Sequence, residues 1–219
     1  MTKRTFVLQA ASIEIGSALL SEAFYSADFA LEHSVSLRNQ LACGRWSSPA
    51  WTAVTFYYWS YHLAVAITRL LGKTVWFIPP ELTPLLKSLA GVGGSIPGSG
   101  PYVLECGNLL SATVREITLK RSAQTRAHDA VWQVLFSELR KCSASTLERK
   151  PSNLEARLHL SLIRAANALG ESWPSDLRNA VNYTIKSGYG AVRREHTVPM
   201  NNLARVDPSV DRDGYDRAA

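Results

Sequence analysis

Apolar residues gather in this chain into blocks of differing period. From about Ala10 to Ala42, the residues Ile13, Leu19, Leu20, Phe24, Phe29 and Leu31 recur near helical intervals with no proline between them. That pattern predicts one long amphipathic helix. Gly44-Arg45 and Ser47-Ser48-Pro49 mark a stop and a restart, with Ser48 as N-cap and Pro49 at the first helical position. The next block, Trp51 to Gly72, is apolar on nearly every face, and no Asp, Glu, Lys or Arg occurs from Ala50 to Thr68. Val54, Tyr58, Tyr61 and Val65 share one side of it, while Phe56, Trp59, Leu63 and Ile67 share another. A helix without a charged back must be wrapped by protein or by lipid. Its length meets the threshold of about 18 residues for a spanning helix. Thr52, Thr55, Ser60, His62 and three tyrosines nevertheless put polar tips where a bilayer centre would lie. The expectation is the central helix of a soluble bundle, ended at Gly72.

Beyond Gly72 the blocks shorten. Thr74 to Ile78 is an apolar run closed by Pro79-Pro80, and Glu81 to Ala90 suits a short helix. Residues 91–101, GVGGSIPGSGP, have the composition of a loop. Tyr102–Leu104 and Ala112–Leu119 flank a Gly107-Asn108 turn, and in the second run Thr113, Arg115, Ile117 and Leu119 alternate with Val114, Glu116 and Thr118. Alternation of that kind predicts a small β-hairpin, inserted at about 101–120. A helix over Ser122–Cys142 carries Val131, Trp132, Leu135, Phe136 and Leu139 on one side. Asn153–Leu169 follows, ended by Gly170, and Ser172-Trp173-Pro174 introduces a last helix through Tyr183. Residues 199–219 show no periodicity and read as a disordered tail. The fold class is therefore mainly α: a bundle of five or six helices around Trp51–Gly72, in one domain over 1–198 with a hairpin insertion.

Composition adds less. A hydrophobic fraction of 46% supports a real core, and the charged fraction of 19% is low. The net charge of +6, carried more by arginine than by lysine, permits a phosphate-bearing partner without requiring one. Cys43, Cys106 and Cys142 form no CxxC pair, which excludes a zinc ribbon or a disulfide framework and suits a reducing cytoplasm. After the basic start, Gln9, Ser12 and Glu14 break the apolar segment, so the N-terminus reads as the approach to a helix and not as a signal peptide.

Several chemistries can be set aside on spacing. The glycine-rich stretch lacks GxxxxGK[ST], and no strand and helix frame it as a dinucleotide loop. No GxSxG frames a serine nucleophile. His33, His62, His128, His159 and His196 form no HxxxH or HxH pair, so no metal and no cofactor is expected. His62, in the most apolar helix, is expected to be a buried, hydrogen-bonded core residue. Glu14, Asp28 and Glu32 read as solvated charges of the first helix.

Two pieces together resemble the HEPN superfamily of prokaryotic helical proteins. Many members follow a long first helix with one reading approximately A-x-x-x-Y-Y-A-x-F-H-x-A-x-A-L-L-x-x-x-G. Ala53 to Gly72 reads A-V-T-F-Y-Y-W-S-Y-H-L-A-V-A-I-T-R-L-L-G, and Tyr57, Tyr58, His62, Ala64, Ala66 and Gly72 fit that pattern. The second piece is LRNAVNY, Leu177 to Tyr183. Ribonuclease members carry R-x(4–6)-H on a late helix, often with Asn after the Arg. Arg178-Asn179 stands where that motif would begin, but Tyr183 occupies the place of the histidine. A phenol with a pKa near 10 is a poor general base at neutral pH.

The resemblance implies a homodimer or larger complex, RNA as partner, no membrane, and a setting in antiviral defence or toxin–antitoxin systems. It favours a non-catalytic subunit that binds nucleic acid through Arg178, Asn179, Tyr183, Arg193 and Arg194. The alternative is a metal-independent endoribonuclease in which Arg178 meets a histidine supplied from elsewhere, His128 or His196. Arg121 and His128 make a formal R-x(6)-H match, at the start of an earlier helix. Gly188-Tyr189-Gly190 with Arg193-Arg194 and His196 forms a second basic patch beside an aromatic.

Overall fold

The computed structural model describes residues 5–42, 49–89, 98–106, 114–148 and 153–183. Ten elements follow in order: β1 (Thr5–Ala11), α1 (Ser12–Ala42), α2 (Pro49–Leu70), β2 (Lys73–Ile78), α3 (Leu82–Leu89), β3 (Gly100–Cys106), β4 (Val114–Arg121), α4 (Ala127–Glu148), α5 (Asn153–Leu169) and α6 (Trp173–Tyr183). The chain is mainly helical with one small sheet. The Gly107-Asn108 turn, most of the glycine-rich stretch, Cys43, the 188–196 patch and the 199–219 tail lie outside the described residues.

The hairpin is the middle of a larger sheet. β3 and β4 pair antiparallel with Leu104 opposite Leu119, and each has a further antiparallel neighbour, giving the order β1-β4-β3-β2. Thr5 to Ala11 lies against Lys120 to Val114, and Lys73 to Ile78 against Glu105 to Gly100. The N-terminal segment is thus an edge strand through Ala11, and α1 starts two residues later than the periodicity suggests. One sheet face buries Ile78, Tyr102, Cys106, Ile117 and Leu119 against Leu19 of α1, with Leu82 and Leu86 of α3 at the margin. Side chains alternate along β2, so Val75 joins the second core on the opposite face.

That second core is helical. Tyr57, Ala64 and Val65 of α2 pack with Val131, Trp132, Leu135 and Phe136 of α4 and Ala166 of α5. Lys73, on the Val75 side of β2, bonds to Glu138 of α4 and to its cross-strand neighbour Glu105, each at 2.7 Å. An ion pair therefore fastens the sheet to the helices.

Local chemistry sets the element ends. α2 begins at Pro49, as the N1 preference predicts. It stops where Gly72 turns to φ +72°, with the Gly72 N–H on the Arg69 carbonyl at 2.9 Å. α4 starts at Ala127 and not at Ser122, because β4 runs on to Arg121 and the Ser122 hydroxyl accepts from the Gln124 N–H. Asp129 in the first turn of α4 accepts from Arg126 Nε at 2.6 Å and complements the helix dipole. Ser172 gives its hydroxyl proton to Asp176 in the first turn of α6 at 2.8 Å.

α2 packs along α1, α4 and α6, but one side of it is uncovered by described residues. Trp51, Phe56 and Ile67 are exposed, as are Ile13, Leu20, Phe24, Leu31 and Val35, which recur at helical spacing on α1. No helix among the described residues is long and apolar enough to cross a membrane.

Candidate functional site

Tyr57, Tyr58, Tyr61 and His62 stand one turn apart in pairs, so α2 shows them all on one side. Three other helices bring polar groups to that side: His33 from α1, His128 from α4, and Ser175, Arg178 and Asn179 from α6. The sequence candidates Arg178 and His128, distant in the chain, thereby meet around a single aromatic pair.

The Arg178 guanidinium donates to the Tyr58 hydroxyl at 2.6 Å and to Asn179 Oδ1 at 2.7 Å. Its carbon lies 5.4 Å from the centre of the Tyr58 ring and 5.7 Å from that of Tyr57, within cation–π range of both. On the other side of Tyr57, the hydroxyl lies 2.8 Å from His128 Nδ1 and 3.3 Å from Ser175 Oγ. The His128 ring stacks flat on Tyr61, with centroids 4.1 Å apart and planes 7° off parallel. His33 stacks on Tyr58 at 5.7 Å and on His62 at 5.4 Å.

These contacts fix ionisation states. Burial lowers the pKa of His128, and the nearby Arg178 charge adds to the effect against an opposing pull from Asp129. Burial raises the pKa of Tyr57 and drives that of Tyr61 up to about 12. Near neutral pH the phenol is thus protonated and the imidazole uncharged. Two arrangements fit these contacts: Tyr57 donates to Nδ1 and the imidazole proton is on Nε2, or Nδ1–H donates to the phenol oxygen and Tyr57 gives its proton to Ser175 Oγ. In the first arrangement the Nδ1 lone pair is committed to Tyr57 and Nε2 is a donor; in the second Nε2 carries the lone pair.

Of the residues singled out from the sequence, Arg178, Asn179 and His128 converge here. Tyr183 is the last residue of α6, its side chain outside the description, and Arg193, Arg194 and His196 lie beyond the described residues. Arg121 is on β4, where it donates to the Ser99 carbonyl and takes no part in this cluster. His62 differs from its expectation. It is half-buried among the rings of Phe29, His33, Tyr58 and Tyr61, and its pKa is lowered by burial, then by His33 and His128. The roles of the Tyr57 and Tyr58 hydroxyls, Ser175 and His33 were not visible in the sequence, because each depends on a partner from another helix. Among the described residues no cluster of His, Cys, Asp and Glu suits a metal ion. Cys106 and Cys142 are not joined in a disulfide.

No protein-family model, no curated protein and no solved structure matches the chain.

Proposed function

We propose that this chain is a non-catalytic, HEPN-like helical subunit that binds the phosphate backbone of RNA at the face built from Tyr58, His128, Arg178 and Asn179. One hydrogen bond carries the reading. With Tyr57 donating to Nδ1, the imidazole proton is on Nε2, where cleavage would need a lone pair to take the 2′-hydroxyl proton. A neutral N–H near a guanidinium, whose charge is felt at His128, is a phosphate-binding pair. Tyr183, Arg193 and Arg194 belong to the proposal on sequence grounds alone.

The rest of the proposal follows from the resemblance and from the uncovered apolar side. A second copy packs on the exposed α1 and α2 residues, which makes α2 the centre of a helical bundle. The assembly works in the cytoplasm within an antiviral defence or toxin–antitoxin complex.

The test is binding of a single-stranded RNA oligonucleotide across 50–200 mM salt, with EDTA present. Wild type binds with a salt-dependent affinity and leaves the RNA intact. Arg178→Ala binds more weakly and with a salt slope smaller by about 0.7, the value of one phosphate contact on a single strand. RNA binding that is absent, or indifferent to Arg178, sinks the proposal.

A second reading, a metal-independent endoribonuclease, has its own observation. Ser175 Oγ also lies near the Tyr57 hydroxyl and, if it received the phenol proton, His128 would hold its own at Nδ1 and expose a basic Nε2. Cleavage in EDTA that is lost in both Arg178→Ala and His128→Ala would establish this reading over the first.

A further inference from the structure

We propose that a chamber between α2, α4, α5 and α6 binds the hydrocarbon tail of a small amphiphile and leaves its polar head in water. The chamber measures about 260 Å³. An apolar cavity of about 150 Å³ accepts the six carbons of benzene, so this one holds a tail of roughly ten on the same scale. It falls below the roughly 300–1,000 Å³ of pockets that take drug-sized ligands.

The wall decides what the guest is made of. Most of it is carbon, from Phe56, Trp132, Leu135, Phe136, Leu139 and Trp173. Each polar group on a lining side chain is turned away or sealed. The Tyr57 hydroxyl lies against His128 and Ser175, the Ser60 hydroxyl donates to the Phe56 carbonyl at 2.9 Å, and the Arg178 guanidinium donates to Tyr58 and Asn179. The indole N–H groups of Trp132 and Trp173 are closed off from solvent and hence from any guest. A polar atom inside the chamber would shed its hydration and find no partner. A hydrocarbon has no such loss, and each methylene it buries strengthens binding by about three- to fourfold.

Access sets the rest of the molecule. Phe56, Leu162 and Leu177 line the chamber and are 52%, 46% and 55% exposed, so it opens to solvent between α2, α5 and α6. A free hydrocarbon of this size is scarcely soluble in water. A molecule that delivers one to the opening needs a polar head, and the opening leaves that head hydrated.

The test is a series of 1-alkanols from hexanol to dodecanol, followed by ligand-observed NMR on the full chain. Binding saturates at one site, strengthens by about three- to fourfold per added methylene and levels off at about ten carbons, where the chamber is full. 1,10-Decanediol must carry a second hydroxyl into the chamber, and it binds about tenfold or more weakly than decanol. Ala53→Phe and Val181→Phe narrow the chamber from α2 and α6. Each displaces two or more methylenes and weakens decanol by about tenfold, in a protein of unchanged helical content. The proposal is overturned if decanol does not bind wild type, or if the diol matches decanol. An affinity that climbs without levelling through dodecanol, as partition onto exposed leucines would, also overturns it. Wild-type affinity in both folded variants does so equally, since the alkanol would then sit elsewhere.

Discussion

The hydroxyl of Tyr57 meets Nδ1 of His128 at 2.8 Å across 71 residues of sequence, and the Arg178 guanidinium lies over the same tyrosine ring at 5.7 Å. One phenol thus joins α2 to α4 and stands between a neutral histidine and a permanent cation. The ionisation of the histidine depends on both neighbours.

In an NMR titration, His128 should stay neutral at pH values where a free imidazole, with its pKa near 6.5, is already half charged. Arg178→Gln removes one of the causes that lower its pKa and leaves burial in place, so the midpoint moves up toward the ordinary value without reaching it. Ring ¹⁵N shifts at neutral pH should report the proton on Nε2. The opposite tautomer would select the second arrangement and favour the cleavage reading. Stability follows the same sign. His128 and His62 both titrate lower in the folded chain, so an unfolded chain takes up protons first as the pH falls. Their contribution is complete above about 6.5 and declines below it. Denaturation midpoints at pH 7.5 and 5.5 should therefore differ less in a His62→Gln, His128→Gln double variant than in wild type.

Lys73→Met tests how the sheet is fastened to the helices. Burial opposes the Lys73 charge, but hydrogen bonds to Glu105 and Glu138 outweigh it and raise the pKa. Removing one partner of a buried ion pair costs about 3–5 kcal/mol. Here about 2–3 kcal/mol is expected, because Glu105 keeps Lys120 and Glu138 keeps Lys141. The cost is pH-dependent. The Lys73 hydrogen bond, against burial, takes the Glu105 pKa down to about 2, so its contribution is full above about 4.5 and lost as pH falls toward 2. Urea titrations at pH 7 and pH 3 should show a smaller penalty at the lower pH, and an equal penalty would mean that the ion pair is not what the mutation removes.

Gly72→Ala should destabilise the fold by about 2 kcal/mol, since a left-handed residue with a Cβ costs about 1–2 kcal/mol by itself. The added methyl would also come 3.2 Å from the Cys106 carbonyl, whose N–H already bonds the Gly72 carbonyl at 2.9 Å. That contact couples the end of α2 to the end of β3, and neither backbone can move without breaking it. A midpoint shift no larger than that of Gly170→Ala, which has φ +86° with open space around it, would remove the steric part of the argument.

What was legible in the sequence is what local pattern encodes. The spacing of Ile13 to Leu31, the uncharged Trp51–Gly72 block and the glycines after α2 and α5 announce helices and their ends, because capping and amphipathicity are decided within a few residues. The sheet was half legible. β3 and β4 follow each other and can be read as a hairpin, whereas Thr5–Ala11 and Lys73–Ile78 become strands only by pairing with segments far along the chain. At the candidate site, residue type pointed to Arg178 with either His128 or His196, and it is His128 that meets Arg178 at one tyrosine. Their joining through Tyr57 is a product of how α2, α4 and α6 cross, which no spacing records. His62 was expected in the core for its apolar neighbours in sequence, yet it sits half-exposed because α1 covers only one side of it.

The last prediction concerns the uncovered side. Leu20 and Phe24 on α1 are 61% and 67% exposed and, with Ala66 and Leu70 of α2, line a groove along the two helices. Ile13, Leu31 and Val35 continue the α1 stripe at the same spacing, the pattern of a seam between paired helices. A second copy offering the same stripe would be self-complementary, as a two-fold interface requires. Sedimentation equilibrium should therefore give a dimer at micromolar concentration. Leu20→Glu with Phe24→Glu should give a monomer of unchanged helical content, since neither side chain is buried in the single chain. A wild-type monomer would refute self-association and leave the stripe to another protein. A dimer that survives the double change would place the interface elsewhere, with the exposed face of α5, where Leu154, Leu158 and Leu162 stand, as the next surface to substitute.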